Sequence, residues 1–552
     1  MHDNSLSRRR FLAVTGATSA GIAAGATLGS GAAQAEPAHD VSAGAGFTRR
    51  ATGYAIRLQA ANNAYARPFP TQTPNGEESI PGYLASYTKG LPHNDLAEVD
   101  PAAYEALVRA INNGNASAFE RIPLGTNNGR KLLNPRIVYA FDLQGPDSHG
   151  LAAPPAPRLD SAEFAGEMVE DYWMALLRDV PFTSYLDGPQ LVLDACESLS
   201  RLSGFRAPKE NGRVTPRTLF RGFTPGDLVG PFVSQFLLKD FRYGPHWITQ
   251  RQDTVQPGVD FLTDFAELVE VQRGAVRPNA RDFNNTRYIQ TARDLAHFTH
   301  VDVGYQPYLY AAVILLTSGL PPAELFDPAN PYINSRTQQG FGTFGIPHIL
   351  TLLAEVDHRA RKANLYQQWG VHRRIRPEAV GARIDVHLRQ DPGRYDGLLN
   401  SELLESDVLD RVHSKYGTYL LPQAYEEGSP MSPDYVSGHA TVAGACVTIL
   451  KAWFNESTPF PDPVVPDETG TRLVPYRGAD RDQMTIGGEL NKLAANIGTG
   501  RNTAGVHWRS AYREGLAMGE QVAIGLLRDQ KATYHEDVSF SLTRFDGTTI
   551  RI

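Results

Sequence analysis

The sequence predicts an all-α fold of helical bundles with long loops and a few short strands. Three observations predict it. Apolar residues recur at helical spacing over many stretches of ten residues or more, Pro- and Gly-rich connectors separate those stretches, and few segments alternate as strands do. With 552 residues and 41% hydrophobic residues, the chain is long enough to bury a large core.

Each predicted element has a local reason. In 161–177, for example, Met168, Tyr172 and Ala175 recur on one helical face, and Asp100 before Pro101 is typical of a capped helix start. Connectors at 63–81, 142–157, 318–331 and 457–480 separate the helices, and the apolar runs at 464–474 and 538–552 predict short hairpins. The predicted helices are 101–112, 161–177, 226–241, 286–317, 346–367, 437–454, 483–497 and 506–528.

The N-terminus predicts an export signal of the twin-arginine type. Arg8-Arg9-Arg10 stands before a weakly apolar stretch at 12–28, and Ala33-Gln34-Ala35 offers a small-residue cleavage site. A membrane helix is the alternative, but the stretch is short and poorly apolar. We expect residues 1–35 to be the signal, 36–47 a disordered linker and 48–552 the folded domain, working in a periplasm or outside the cell.

Composition and simple motifs exclude several classes of function. The net charge of −7 is small and no basic patch stands out, so nucleic acid is not expected as a partner. Cys196 and Cys446 allow one bridge, but two buried thiols are favoured. His297 and His300 are spaced like a zinc pair on a helix, yet no third ligand stands at a suitable spacing.

Three segments carry side chains suited to one kind of guest. They are 371–378 (VHRRIRPE), 436–439 (VSGH) and 501–509 (RNTAGVHWR). Guanidinium forks match paired oxygens, a Ser-Gly step adds a hydroxyl and an accessible amide, and imidazoles bond a central atom or pass protons. This set suits a tetrahedral or five-coordinate oxyanion. A helix cap at Ser437-Gly438 and a structural role for His507 are the competing interpretations.

These segments resemble the vanadium-dependent haloperoxidases, which share a site plan with the type 2 phosphatidic acid phosphatases. Stretches 75–78, 85–94, 141–148, 167–181 and 287–302 are similar to the algal and cyanobacterial bromoperoxidase branch, so the resemblance covers nearly the whole chain after about residue 48. It implies two four-helix bundles, with the site in about 286–530. It also implies a vanadate cofactor, a homo-oligomer, and hydrogen peroxide, a halide (bromide first) and a small organic acceptor as reactants.

The resemblance assigns a role to each matching residue. His507 would bond vanadium, and His439 would exchange protons with peroxide. Arg376 and Arg501 would bind the equatorial oxygens, with Ser437 and Gly438 as further donors. If Ser437-Gly438 opens a helix, its free amides add to the stabilisation of an anion.

Some positions depart from the family pattern or leave a role open. Gln368 stands where the family has a lysine, and a unit charge at 4 Å near a protein surface is worth about 4 kcal/mol. Lys362, six residues earlier, is the other lysine that could supply this charge. Ala511 stands where an aspartate usually orients the axial histidine, a loss that typically costs about tenfold to a hundredfold. Ser432 occupies the position that tunes halide preference in the family.

A carboxylate is also expected beside His439. Asp294 and Asp302 are the candidates for an Arg376–Asp–His439 network, with a plain surface salt bridge as the alternative. Two other functions stay open. One is a phosphomonoesterase with His507 as nucleophile and His439 as acid; the other is a degenerate oxyanion-binding homologue, which Gln368 and Ala511 favour.

Overall fold

The computed structural model describes residues 45–278 and 283–552. The predicted export signal lies outside these residues, as does most of the predicted linker, whose last three residues belong to the first helix. The chain divides into a unit that ends at Leu58 and a compact unit, Gln59–Ile552, that contains every candidate site residue.

Helices dominate the described residues, as the sequence predicts. Short 3₁₀ turns connect several of them, and π-helical turns follow two of them, at Gln367–His372 and Val386–Gln390. The α-helices are α1 Ala45–Ala66, α2 Pro101–Asn113, α3 Ala116–Phe119, α4 Ala162–Leu176, α5 Gln190–Arg201, α6 Phe265–Gln272, α7 Ala292–Val301, α8 Gln306–Leu316, α9 Pro322–Leu325, α10 Ile346–Tyr366, α11 Pro377–Asp385, α12 Ser401–Leu404, α13 Asp407–Tyr416, α14 Gly438–Trp453, α15 Ile486–Thr503 and α16 Arg509–Lys531.

Strands in the described residues occur only as two-stranded antiparallel pairs. The hairpins predicted at 464–474 and 538–552 are confirmed as β5–β6 and β7–β8. The strands are β1 Phe241–Tyr243, β2 His246–Ile248, β3 Gln252–Val255, β4 Phe283–Arg287, β5 Val464–Pro466, β6 Leu473–Pro475, β7 Ser541–Thr543 and β8 Thr549–Arg551.

A bundle of α10, α14, α15 and α16 carries most of the site. Helices α14 and α16 approach each other closely because glycines face the neighbouring backbone. A Cβ added to Gly519 would lie 1.9 Å from the carbonyl oxygen of Thr441, and one added to Gly444 would lie 2.2 Å from that of Leu516. Only residues without a side chain fit at these positions, so the sequence itself sets the spacing of the helices around the site.

Two of the predicted helices are wrong in part or in whole. The segment 226–241 contains the 3₁₀ turn Gln235–Leu237 and the first residue of β1, because Gly226 and Gly230 adopt positive φ and Pro231, which has no backbone N–H, follows Gly230. The segment 286–317 begins in strand β4, which pairs with β3, and then splits into α7 and α8 at Gly304, which also has a positive φ. The other predicted helices are confirmed with shifts at their ends.

The predicted helix cap at Asp100 and the predicted buried thiols are confirmed. Asp100 caps α2 through its side chain, and both cysteines are free and buried. Within the described part of the chain, no helix is both long and apolar enough to cross a membrane.

Candidate active site

Four of the candidate residues are positioned by helix ends. Arg376 immediately precedes α11, Ser437 immediately precedes α14, and Arg501 lies in the last turn of α15. His507 lies in the short turn between α15 and α16, where Gly505 takes a positive φ. All four are at most 4% exposed, so their charges and donors act in a medium of low dielectric constant.

The ring of His507 has a defined orientation. Its Nδ1 lies 2.7 Å from Oδ1 of Asp434, and its Nε2 lies 3.0 Å from Nη1 of Arg376. When Asp434 is ionised, its carboxylate accepts and does not donate, so Nδ1 carries the hydrogen and Nε2 keeps its lone pair. Burial, followed by the charges of Arg376, Arg501 and His439, holds the pKa of His507 well below its usual range. The neutral ring therefore presents a nitrogen able to bond a central atom.

The two arginines are buried cations held by neutral groups. Arg376 donates from Nε to the carbonyl of Ser432 at 2.8 Å and from Nη1 to that of Val506 at 2.8 Å. Arg501 donates from Nη1 to the carbonyl of Thr299 at 2.9 Å, and its Nε has no hydrogen-bond partner. Within residues 45–278 and 283–552, neither guanidinium forms an ion pair at 4.0 Å or less. Buried charge without a counter-ion is costly, so this arrangement favours an incoming anion.

Ser437 stands at the cap position of α14 without capping it. Its Oγ is buried and has no hydrogen-bond partner, while its backbone N–H donates to the carbonyl of Ala511 at 3.0 Å. Ser437 therefore occupies the helix-cap position that the sequence predicts, but its hydroxyl forms no capping hydrogen bond. The hydroxyl and the free amides at the start of α14, beginning at Gly438, remain available to an anion.

Gln368 supports the backbone beside Ser437. Its Nε2 and the Nδ2 of Asn364 each donate to the carbonyl of Val436 at 2.8 Å. The Oε1 of Gln368 is buried without a partner. One amide N–H of Gln368 is thus committed to the loop, and the side chain carries no charge. Lys362 does not substitute for the lysine, because its Nζ lies 2.5 Å from Oδ1 of Asp142.

His439 pairs with one of the two expected carboxylates. Its Nε2 lies 3.0 Å from Oδ1 of Asp302. Burial lowers the pKa of His439, and Asp302 acts in the opposite direction. Asp294 instead lies 3.0 Å from Arg287 and closes the cap of α7. The expected Arg376–Asp–His439 network is therefore wrong for Asp294 and for the Arg376 link, and right for Asp302 and His439.

The expected gap left by Ala511 is filled from another segment. Asp434, three residues before Ser437, places its Oδ1 2.7 Å from Nδ1 of His507. Burial raises the pKa of Asp434 to about 7, against the charges of Arg374 and Arg376, which lower it. The expectation that His507 lacks a carboxylate is therefore wrong. The signal available in the sequence was an aspartate in the short loop that leads into Ser-Gly-His.

The donors present fit an oxyanion that carries its own central atom. Vanadate requires positive charge and hydrogen-bond donors around its oxygens and a ligand for its metal. The site offers Ser437 Oγ and Arg501 Nε, which have no partner, two guanidiniums without an ion pair, and the lone pair of His507 Nε2. In the described residues, no group of three or more His, Cys, Asp or Glu side chains could hold a metal ion. His300, half of the apparent zinc pair, lies 2.7 Å from Glu427.

Fold and site together define a helical-bundle protein with a buried cradle for an oxyanion. The family described as the VCPO second helical-bundle domain matches residues 413–535, which include Ser437, Arg501 and His507. The vanadium-dependent bromoperoxidase of Corallina pilulifera is 36% identical over 92% of this chain and 98% of its own length. That of Ascophyllum nodosum is 35% identical over 87% of this chain and 88% of its own.

A solved structure matches over nearly the whole length as well. The second vanadate-dependent bromoperoxidase of Ascophyllum nodosum, a homohexamer, superposes with a TM-score of 0.86 at 29% identity, covering 97% of this chain and 95% of that one. The chain belongs to the vanadium-dependent haloperoxidases, in their bromoperoxidase branch.

Proposed function

We propose that this haloperoxidase holds vanadate at His507 and oxidises bromide with hydrogen peroxide to a hypohalous acid equivalent, which halogenates small organic acceptors. The observation that carries the proposal is the contact of His507 Nε2 with Arg376 at 3.0 Å, with Arg501 close enough to lower the pKa of the ring and neither arginine in an ion pair in the described structure. Such an arrangement is stabilised by an anion and offers its central atom a nitrogen ligand.

Some residues of the site would hold the anion, and another would move protons. His507 Nε2 would bond the vanadium, while Arg376, Arg501, Ser437 Oγ and the amide of Gly438 would hold the oxygens. When bound, vanadate supplies Lewis-acid activation of peroxide toward attack by a halide. The start of α14 adds its dipole to the stabilisation of negative charge.

Proton movement falls to His439. Its Nε2 faces Asp302 at 3.0 Å, so the carboxylate stabilises the protonated ring at a place where burial disfavours it. A histidine held in this way can accept a proton from peroxide and return it to the product.

The experiment is a reconstitution with two parallel assays. Purified apoprotein is loaded with orthovanadate and tested for bromination of a dimedone-type reporter with peroxide and bromide, and for hydrolysis of a phosphate ester. We expect vanadate-dependent bromination without phosphatase turnover. Hydrolysis alone, or silence in both assays, would contradict the proposal.

Assembly and location extend the proposal. Since a solved relative is a homohexamer, we expect this chain to form a homo-oligomer, which light scattering of the purified protein will measure. We also expect export by the twin-arginine route, on the N-terminal motif alone. Replacing Arg9 and Arg10 with lysine should retain the protein in the cytoplasm, and unchanged fractionation would contradict the assignment.

A further inference from the structure

We propose that Asp434 is the positioning residue of His507, and that the carboxylate for this task comes from the loop before α14 and not from helix α16. The vanadium ligand role of His507 rests on the proposed function. The geometry around its ring does not, and it can be tested without vanadate.

The contacts of the His507 ring support this assignment. Asp434 Oδ1 lies 2.7 Å from Nδ1, whereas the nearby Nη1 of Arg376 is a donor and cannot accept the Nδ1 hydrogen. Among the described residues, Asp434 is the acceptor that faces this nitrogen. Fixing the hydrogen on Nδ1 keeps the lone pair on Nε2, on the side of Arg376.

Asp434 is itself held from two directions by one residue. The Nη1 of Arg374 lies 3.3 Å from Asp434 Oδ2, and the backbone N–H of Asp434 donates to the carbonyl of Arg374 at 3.1 Å. Both side chains are at most 2% exposed. A buried ion pair anchored through backbone and side chain gives the carboxylate one orientation.

The anchor continues to helix α4. The Nη2 of Arg374 lies 3.5 Å from Glu167, its Nη1 donates to Ser510 Oγ at 3.1 Å, and its guanidinium lies 4.3 Å from the ring centroid of Trp508. Glu167 also accepts from Ser510 Oγ at 3.0 Å. Trp508 follows His507 directly and Ser510 lies three residues after it, so the network fixes the chain beside the histidine as well as its ring.

Ala511 leaves room for a carboxylate from another segment. It is fully buried and offers a methyl group, and its carbonyl accepts the backbone N–H of Ser437 at 3.0 Å. That bond ties the loop that carries Asp434 to α16. A second buried carboxylate close to Asp434 would add like-charge repulsion. A small apolar residue at 511 is therefore compatible with Asp434 as the carboxylate that positions His507.

The contact with Arg374 makes the isosteric variant the sharpest test. In Asp434→Asn the amide oxygen must face the donor Nη1 of Arg374, which turns the amide nitrogen toward His507 Nδ1. The ring must then accept at Nδ1 and carry its hydrogen on Nε2. We expect the dissociation constant for vanadate to rise about a hundredfold in Asp434→Asn and about tenfold in Asp434→Ala, where water can replace the acceptor.

The experiment measures vanadate affinity by titration and the tautomer of His507 by ¹⁵N NMR of histidine-labelled apoprotein, with His507→Asn to assign the signal. Glu167→Gln and Glu170→Gln are a matched pair, because both are buried carboxylates on α4. Glu170 pairs with Arg509 and does not contact Arg374 or Asp434. We expect Glu167→Gln to weaken vanadate binding and Glu170→Gln to leave it within twofold.

The outcomes separate the inference from the proposed function. A hydrogen on Nδ1 in the apoprotein that moves to Nε2 in Asp434→Asn supports the inference, even if the unsubstituted protein binds no vanadate and the proposed function fails. A tautomer unchanged by Asp434→Asn, or vanadate affinity unchanged in a folded Asp434→Ala protein, would overturn it. If Asp434→Ala does not fold, Asp434→Asn decides alone.

Discussion

The Nη1 of Arg376 lies 3.0 Å from Nε2 of His507, in a site where both side chains are almost fully buried. A permanent cation thus faces the lone pair of a neutral ring, with no carboxylate paired to Arg376 in the described structure. An anion whose central atom takes a nitrogen ligand would pair with Arg376 and use the Nε2 lone pair that Arg376 now faces.

Replacing Arg376 with lysine should weaken vanadate binding about tenfold or more, because lysine keeps the charge and loses the planar fork of donors. A titration of apoprotein with vanadate measures the change. Arg389→Lys is the control, because Arg389 pairs with Asp385 outside the site and is 38% exposed. Equal losses in both variants would contradict a specific role for Arg376.

Replacing Gln368 with lysine should raise bromide oxidation at saturating vanadate. The new charge would act on bound oxygens, and its Nζ can still donate to the carbonyl of Val436, which now accepts from Gln368 at 2.8 Å. A third buried cation should also lower the melting temperature of the apoprotein, with vanadate restoring it. Turnover that is unchanged or lower would count against this account of Gln368.

Replacing Asp302 with asparagine should move the acidic limb of the pH–rate profile. Asp302 raises the pKa of His439 against the effect of burial, so its loss lowers that pKa further. The ring then stays neutral to a lower pH, and the limb shifts toward acid. Asp294→Asn is the control, because Asp294 pairs with Arg287 and does not contact His439. The idea fails if both variants shift the limb alike.

Asp260 should stabilise the folded protein near neutral pH and make its stability sensitive to acid. Burial raises the pKa of Asp260, but Arg178 and Arg293 outweigh it and lower the pKa from 3.8 to about 2. Because the folded-state pKa is depressed, the contribution is fully present above about pH 4 and is lost as the pH falls toward 2. The shift corresponds to about 2 kcal/mol.

The test for Asp260 is urea unfolding at several pH values. We expect Asp260→Asn to be less stable at pH 7 and to lose less stability than the unsubstituted protein between about pH 4 and 2. An unchanged pH dependence in the variant would show that Asp260 does not carry this part of acid sensitivity.

The candidate site residues could be predicted from the sequence because each of them lies in a short local motif. Arg376, Ser437, His439, Arg501 and His507 gather at one site, with Arg376, Ser437 and Arg501 at helix ends. A motif constrains each of these residues together with its immediate neighbours.

The misses share another cause. Whether Asp434 or a residue near 511 meets His507 depends on how separate segments pack, which no local pattern encodes. The pairing of β4 with β3 is likewise non-local. It places the start of the segment 286–317, for which the sequence predicts a helix, in a strand. Positive φ at Gly226 and Gly230 broke another predicted helix, although those glycines were visible in the sequence.

The most direct measurement is a vanadate titration of the unsubstituted apoprotein and of the His507→Ala variant in parallel. Equilibrium dialysis measures the bound vanadate, and thermal unfolding measures the change in melting temperature. Our account predicts saturable binding of one vanadate per chain that raises the melting temperature, and loss of that binding in the variant. A protein that takes up no vanadate, or a variant that binds it as tightly as the unsubstituted chain, would contradict it.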